Sequence, residues 1–234
     1  MAEDKILNYS KNVIKNMPTD WLKLTTHRLD IYNEELAKKE FLEQFEELFK
    51  KNNTNQSALN QLPTAYDYIR LGHPLSSVLE WTIAKLHHLK SDNIISFSSR
   101  TTPILAILRK NLLDNIATQI IYIDKLPAFF DAQMVRNVYG YKFELKKIEK
   151  IEDIEKEADF KGSTIFISQK NQISKANLTS SIDFFLNIHD ELGSILLVNN
   201  NNTKNENYIS EIQHVRRRET IAMTPADCLS ALQI

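Results

Sequence analysis

Ile94-Ile95-Ser96-Phe97, Ile120-Ile121-Tyr122-Ile123, Thr164-Ile165-Phe166-Ile167 and Ile195-Leu196-Leu197-Val198 are the four runs whose reading decides the fold. Each has strand length and is rich in β-branched and aromatic residues, and amphipathic helical stretches separate them. Strands that are apolar throughout and alternate with helices predict a parallel sheet buried on both faces, joined by right-handed crossovers. Such sheets place ligands at the carboxyl ends of their strands. The residues standing there are Ser98-Ser99-Arg100, Asp124-Lys125, Ser168-Gln169-Lys170 and Asn199-Asn200. No Gly-rich phosphate loop is among them, and the chain has only four glycines, few for phosphate-binding turns in a β/α protein.

Upstream of the first run, residues 1–90 read as helical. Ile6, Leu7, Val13, Ile14 and Met17 mark a first helix; Leu29, Tyr32 and Leu36 continue into Phe41, Phe45, Leu48 and Phe49 at three-and-four spacing. After Pro63 and Pro74 comes a helix with Ser77-x-x-Glu80 as its expected capping box. Between the strands, Pro103 suits the first turn of a helix through Ile104, Ile107 and Leu108. Phe130, Met134 and Val138 line another, and Tyr141, Phe143 and Leu145 alternate as a half-buried strand. Ile182, Phe185 and Ile188 predict a further helix before the last strand. The expected fold class is therefore α/β: an N-terminal helical domain, 1–90, followed by a Rossmann-like parallel sheet domain, 91–234.

A chain of 234 residues, 42% hydrophobic and 25% charged, can bury a full core. A net charge of −1 gives no bulk attraction to nucleic acid or membranes, so neither is an expected partner. One cysteine, Cys228, cannot form an internal disulfide, which points to a reducing compartment. The charged start Met-Ala-Glu-Asp-Lys lacks an apolar signal core, and no run approaches the roughly 20 residues of a membrane helix. The cytoplasm is the expected location.

Ser98, Ser99 and Arg100 stand where a phosphate could meet the next helix's N-terminus, although hydroxyls there equally serve as caps. Asp124 ends the second strand, where such folds hold a ribose hydroxyl; an ordinary capping Asp is the alternative. His87 and His88 are adjacent, hence about 100° apart on a helix, and no other His or Cys stands at ligand spacing, so no metal site is expected. Cys228 has no base at a recognisable spacing and reads as a small buried residue of the tail helix. Arg216-Arg217-Arg218, the only basic cluster, suits an anion or an acidic partner, or else a solvated helix face. The apolar tail with Leu229, Leu232 and Ile234 must be buried on its own sheet or in a neighbouring subunit.

The C-terminal half resembles the β/α domain shared by the regulatory α, β and δ subunits of translation initiation factor 2B and by certain sugar-phosphate isomerases. The resemblance is carried by Ile94–Leu108, by Tyr122-Ile123-Asp124-Lys125-Leu126-Pro127-Ala128-Phe129, by Ile148–Ile167 and by Thr224-Pro225-Ala226-Asp227 with Leu229. Asn171 through Lys175, with Thr179, resembles a worn form of that family's central ligand loop. It implies binding of a sugar phosphate or nucleotide by Ser98, Ser99, Arg100, Asp124, Asn171 and Lys175, without a cofactor. Gln172 stands where the family has Gly, and neither the isomerases' Cys nor their Asp is present at Ser98, Ser99, Asn171 or Gln172. The resemblance therefore implies a non-catalytic scaffold subunit that supports guanine-nucleotide exchange on initiation factor 2. Such a subunit works as an oligomer with the other subunits of the complex, and Arg216, Arg217, Arg218, Leu229 and Leu232 are the expected contacts. A sugar-phosphate isomerase with a rearranged site is an alternative.

A second resemblance lies earlier. Tyr68-Ile69-Arg70, His73-Pro74, Leu79-Glu80 and Ala84-x-Leu86 are similar to a phosphate-contacting motif of cystathionine-type pyridoxal-phosphate enzymes. In that reading Arg100 replaces an expected Gly, Asn199 replaces the Asp that pairs with the pyridinium, and no Schiff-base Lys follows at suitable spacing. It implies a degenerate pyridoxal-phosphate-fold protein.

Overall fold

The structure is a computed structural model that describes residues 2–23, 34–63, 68–123, 125–157, 159–169, 178–200 and 205–233. Helices α1 (Ala2–Asn16), α2 (Glu34–Lys50), α3 (Gln56–Asn60) and α4 (Pro74–Leu86) precede strand β1 (Ile94–Phe97). There follow α5 (Thr102–Leu113), β2 (Thr118–Ile123), α6 (Ala132–Tyr139), β3 (Glu144–Ile148), β4 (Ser163–Ser168), β5 (Phe184–His189), β6 (Gly193–Val198), α7 (Glu206–Glu219) and α8 (Pro225–Gln233). The strands form one sheet in the order β1-β6-β5-β4-β2-β3.

The α/β class holds, but the sheet is mixed rather than parallel. β3, β2, β4 and β5 pair in parallel, whereas β6 runs antiparallel to both β5 and β1. The reversal comes from a tight link, Asp190-Glu191-Leu192, between β5 and β6, where a helix crossover was expected. The predicted helix through Ile182, Phe185 and Ile188 is also corrected: Phe184–His189 is a strand buried along nearly its whole length.

Alternation along the strands divides the core. Ile94, Ile121, Phe166, Phe185, Ile195 and Leu197 join one apolar cluster with Tyr9 and Val13 of α1, Phe41 and Phe45 of α2, α4, and Cys228 and Ala231 of α8. Ile95, Phe97, Ile120, Ile165, Leu186 and Leu196 face the other way, onto Ile104 and Ile107 of α5, Val135 of α6 and Ile212 of α7. The early helices thus share one core with a sheet face. Phe45 and Phe49 meet the Trp81 ring edge-on, each with centroids 5.0 Å away.

α4 begins one turn earlier than its expected Ser77–Glu80 box. The N-cap is His73, whose side chain accepts the Ser76 amide, while the Ser76 hydroxyl returns to the His73 backbone. Pro74 occupies the first turn, where no amide hydrogen is needed.

Gly193 fixes the β5–β6 link. Its φ is +107, and a Cβ there would lie 2.2 Å from the Phe97 carbonyl oxygen, a backbone atom that cannot step aside. Gly193→Ala should therefore lower unfolding free energy by about 1–3 kcal/mol at an unchanged urea m-value. A midpoint equal to that of the parent would show that the hairpin adjusts freely.

Candidate functional site

The carboxyl ends of β1, β2, β4 and β5 define the edge where a ligand would lie. At the β1 end, the Ser98 amide and hydroxyl both donate to the Ile221 carbonyl, at 3.2 and 3.3 Å. Ser99 Oγ accepts the Thr101 and Thr102 amides at 3.3 and 3.1 Å and the Thr102 hydroxyl at 2.8 Å, so it caps α5. Arg100 crosses the edge: its guanidinium stacks 4.4 Å above the Phe129 ring and donates to the Asp190 carbonyl at 3.0 Å. Gln169 Nε2 donates to the Lys125 carbonyl at 2.9 Å. His189 Nδ1 accepts the Glu191 and Leu192 amides. Asp124, Asn171 and Lys175 lie outside the described residues.

Asn199 does not belong to this edge. Because β6 is antiparallel, its carboxyl end falls beside the start of β1, and Asn93 Nδ2 reaches the Val198 carbonyl at 2.9 Å. Asn199 Nδ2 itself donates to the Thr179 and Ile182 carbonyls at 2.9 and 2.8 Å, closing the loop that leads into β5.

The densest electrostatic feature lies along the free side of β1. Glu80 of α4, 2% exposed, accepts the Ser96 amide at 2.9 Å and the Ser96 hydroxyl at 2.7 Å through Oε1. The Arg216 guanidinium reaches the same oxygen at 3.1 Å and also donates to the Ser96 carbonyl at 3.2 Å and the Leu71 carbonyl at 2.9 Å. Lys38 of α2 binds Oε2 at 2.8 Å. Burial opposes the charge on Glu80, yet the Lys38 ammonium and the Arg216 guanidinium outweigh it and hold the carboxyl below its ordinary range. Burial likewise opposes charge on Lys38, and the Glu80 carboxylate keeps it protonated. Sequence reasoning gave Glu80 to a cap and Arg216 to a surface patch.

The basic triplet therefore divides. Arg216 is buried, and only Arg217 and Arg218 are exposed. Leu229 and Leu232 are partly buried against the chain's own core cluster, with α8 packed on α4 and α1. Cys228 is fully buried, and burial pushes its thiol well up, away from nucleophilic reactivity. Among the described residues no group of three or more His, Cys, Asp and Glu is placed to hold a metal ion, and no helix is long and apolar enough to cross a membrane.

No family model matches the chain, and no curated protein matches its sequence. Solved structures do match. Cystathionine gamma-lyase from Lactobacillus plantarum, complexed with L-serine, aligns over 96% of this chain with TM-score 0.54 and 12% identity. Cystathionine gamma-lyase from yeast aligns over 96% with TM-score 0.51 and 12% identity. Cystathionine gamma synthase from Xanthomonas oryzae pv. oryzae, in complex with aminoacrylate and cysteine, aligns over 96% with TM-score 0.50 and 10% identity. The chain shares the fold of these lyases and synthases. It spans 62%, 61% and 62% of their respective lengths.

These matches overturn the expected kinship with translation initiation factor 2B and the sugar-phosphate isomerases, and with it the expectation of a translation-initiation scaffold subunit. The expectation of a non-catalytic protein is corrected by the same finding, since the proteins that share the fold are enzymes. The earlier segment, Tyr68 to Leu86, is the one whose resemblance pointed to proteins of this fold. In the structure the Ile69 carbonyl accepts the Ala222 amide, His73 caps α4, and Glu80 anchors β1.

His73 gives this region a pH dependence. Burial lowers its pKa to about 4, and its neutral ring uses both nitrogens: Nδ1 accepts the Ser76 amide and Nε2–H donates to the Met223 carbonyl at 2.7 Å. A base with a depressed folded pKa contributes full stability above its unfolded value of 6.5 and loses it as pH falls towards 4. The loss should reach about 3 kcal/mol. His73→Asn keeps an N-cap acceptor but does not titrate. Its urea unfolding free energy should change less than that of the parent between those pH values; parallel curves would contradict the assignment.

Proposed function

We propose that this chain is a degenerate pyridoxal-phosphate-fold protein: the frame is that of the cystathionine-type enzymes, and among the described residues the carboxyl edge of the sheet is crossed by the chain's own side chains. The observation that carries the reading is Arg100, which spans from the β1–α5 turn to the Asp190 carbonyl across the Phe129 ring.

The described residues do not fit the cofactor. A phosphoryl group at the start of α5 needs free amides and hydroxyls, and there the Thr101 and Thr102 amides are bonded to Ser99 Oγ. A pyridinium nitrogen needs a carboxylate at a strand's carboxyl end. Among the described residues the carboxyl end of β4 carries Ser168 and Gln169 and no carboxylate; Asn199, tied to Thr179 and Ile182, lies on the opposite edge and is no counterpart of that Asp. The Asp190-Glu191-Leu192 link between β5 and β6 carries no lysine. Because the chain spans less than two thirds of the lyases and synthases, their substrates are not carried over to it.

Incubation with pyridoxal phosphate, borohydride reduction and intact-mass measurement test the reading. The expected outcome is no stoichiometric pyridoxyl adduct, with the parent mass recovered. One adduct per chain on a single lysine, Lys125, Lys170 and Lys175 included, would overturn it.

A further inference from the structure

A cleft of about 1200 Å³ is lined by residues of α2 and α4, by the Leu89–Asn93 segment that precedes β1, and by α7. It lies outside the ligand edge described above. Lys38 and Arg216 line it, together with Arg70 at its rim and an apolar strip of Leu42, Leu89 and Ile209.

Among the described residues, the charges at the floor of this cleft do not balance. Its peripheral carboxylates each have a lysine partner: Glu43 has Lys39, Glu46 has Lys85, Glu47 has Lys50, and Glu206 has Lys90. At the floor, two buried cations share the single buried carboxylate of Glu80. Among the described residues the other anion near them is Asp92, 3.5 Å from Lys38 but with a side chain 67% exposed, so solvent screens it. Arg216 is only 6% exposed, and its Nε–H has no acceptor among the described residues. Each cation is paired, but two of them sharing one buried carboxylate leave a net positive charge in the interior, which is costly. An oxyanion entering the cleft beside Lys38 and Arg216 can offset the excess positive charge.

We infer that this cleft binds an oxyanion head group, phosphate or carboxylate, held by Lys38 and Arg216 with Arg70 at the mouth. Any apolar body attached to that head group lies along Leu42, Leu89 and Ile209. The inference is independent of whether the opposite, sheet-edge site holds a cofactor.

Thermal unfolding in sodium phosphate, sodium acetate and sodium chloride at matched ionic strength tests it, with the Trp81 side of the cleft followed by tryptophan fluorescence. Phosphate or acetate should raise Tm saturably where chloride does not, and the more effective of the two names the head group. Lys38→Met leaves the Glu80–Arg216 pair balanced and should abolish the response. Arg70→Ala, at an exposed position, should weaken binding several-fold and decides the matter if the Lys38 variant fails to fold. Equal shifts in all three salts, or a saturable response unaltered in Arg70→Ala and in a folded Lys38→Met, would overturn the inference.

Discussion

An edge strand must find partners for its outward amides and carbonyls, and β1 finds them in the side chains of Glu80 and Arg216. Ser96 N–H goes to the carboxylate and Ser96 C=O to the guanidinium, so an ion pair stands where a neighbouring strand would otherwise be. Two residues further on, the Ser98 amide is received by the Ile221 carbonyl. The strand edge is closed to other chains without another strand.

The same interaction joins the two layers. α4, which carries Glu80, packs in the core on one face of the sheet, and α7, which carries Arg216, packs in the core on the other. Their side chains meet around β1, and Lys38 draws α2 into the same cluster. Burying these charges is tolerable because each meets an opposite charge and several hydrogen bonds; removing one partner from such a set costs far more than the set contributes. The start of α4 is held from the other side by His73 on Met223, so the segment linking α7 to α8 is fastened to β1, α4 and the turn before α4.

Much of this was legible in the chain. The four apolar runs are strands, Pro103 opens α5, and Cys228 is a buried residue of the last helix. β5 was misread because Ile182, Phe185 and Ile188 fit helical spacing, and a strand buried on both faces offers no alternation to contradict it. The reversal of β6 left one usable signal, Gly193 shortly after Asp190 and Glu191, which marks a hairpin better than a crossover. Missing it placed Asn199 on the wrong edge of the sheet. Ser98 and Ser99 allowed a phosphate site or a cap; in the structure the Ser99 hydroxyl accepts the Thr102 amide at the start of α5, and the Ser98 hydroxyl donates to the Ile221 carbonyl. Arg216 hid within a triplet that looks solvent-facing, yet it falls one turn beyond Ile212 and two beyond Tyr208, on the buried stripe of α7. Glu80 gave no such signal, since its partners come from residues 38, 96 and 216.

The most direct test of this account is amide hydrogen exchange at Ser96, compared between the parent chain and Glu80→Gln alongside urea unfolding. Loss of the carboxylate leaves two buried cations without their counter-charge, so stability should fall by about 3–5 kcal/mol. In native conditions the Ser96 amide should lose protection beyond that global drop, relative to amides of β4. Unchanged Ser96 protection with stability within about 0.5 kcal/mol of the parent would contradict the claim that Glu80 secures the sheet edge.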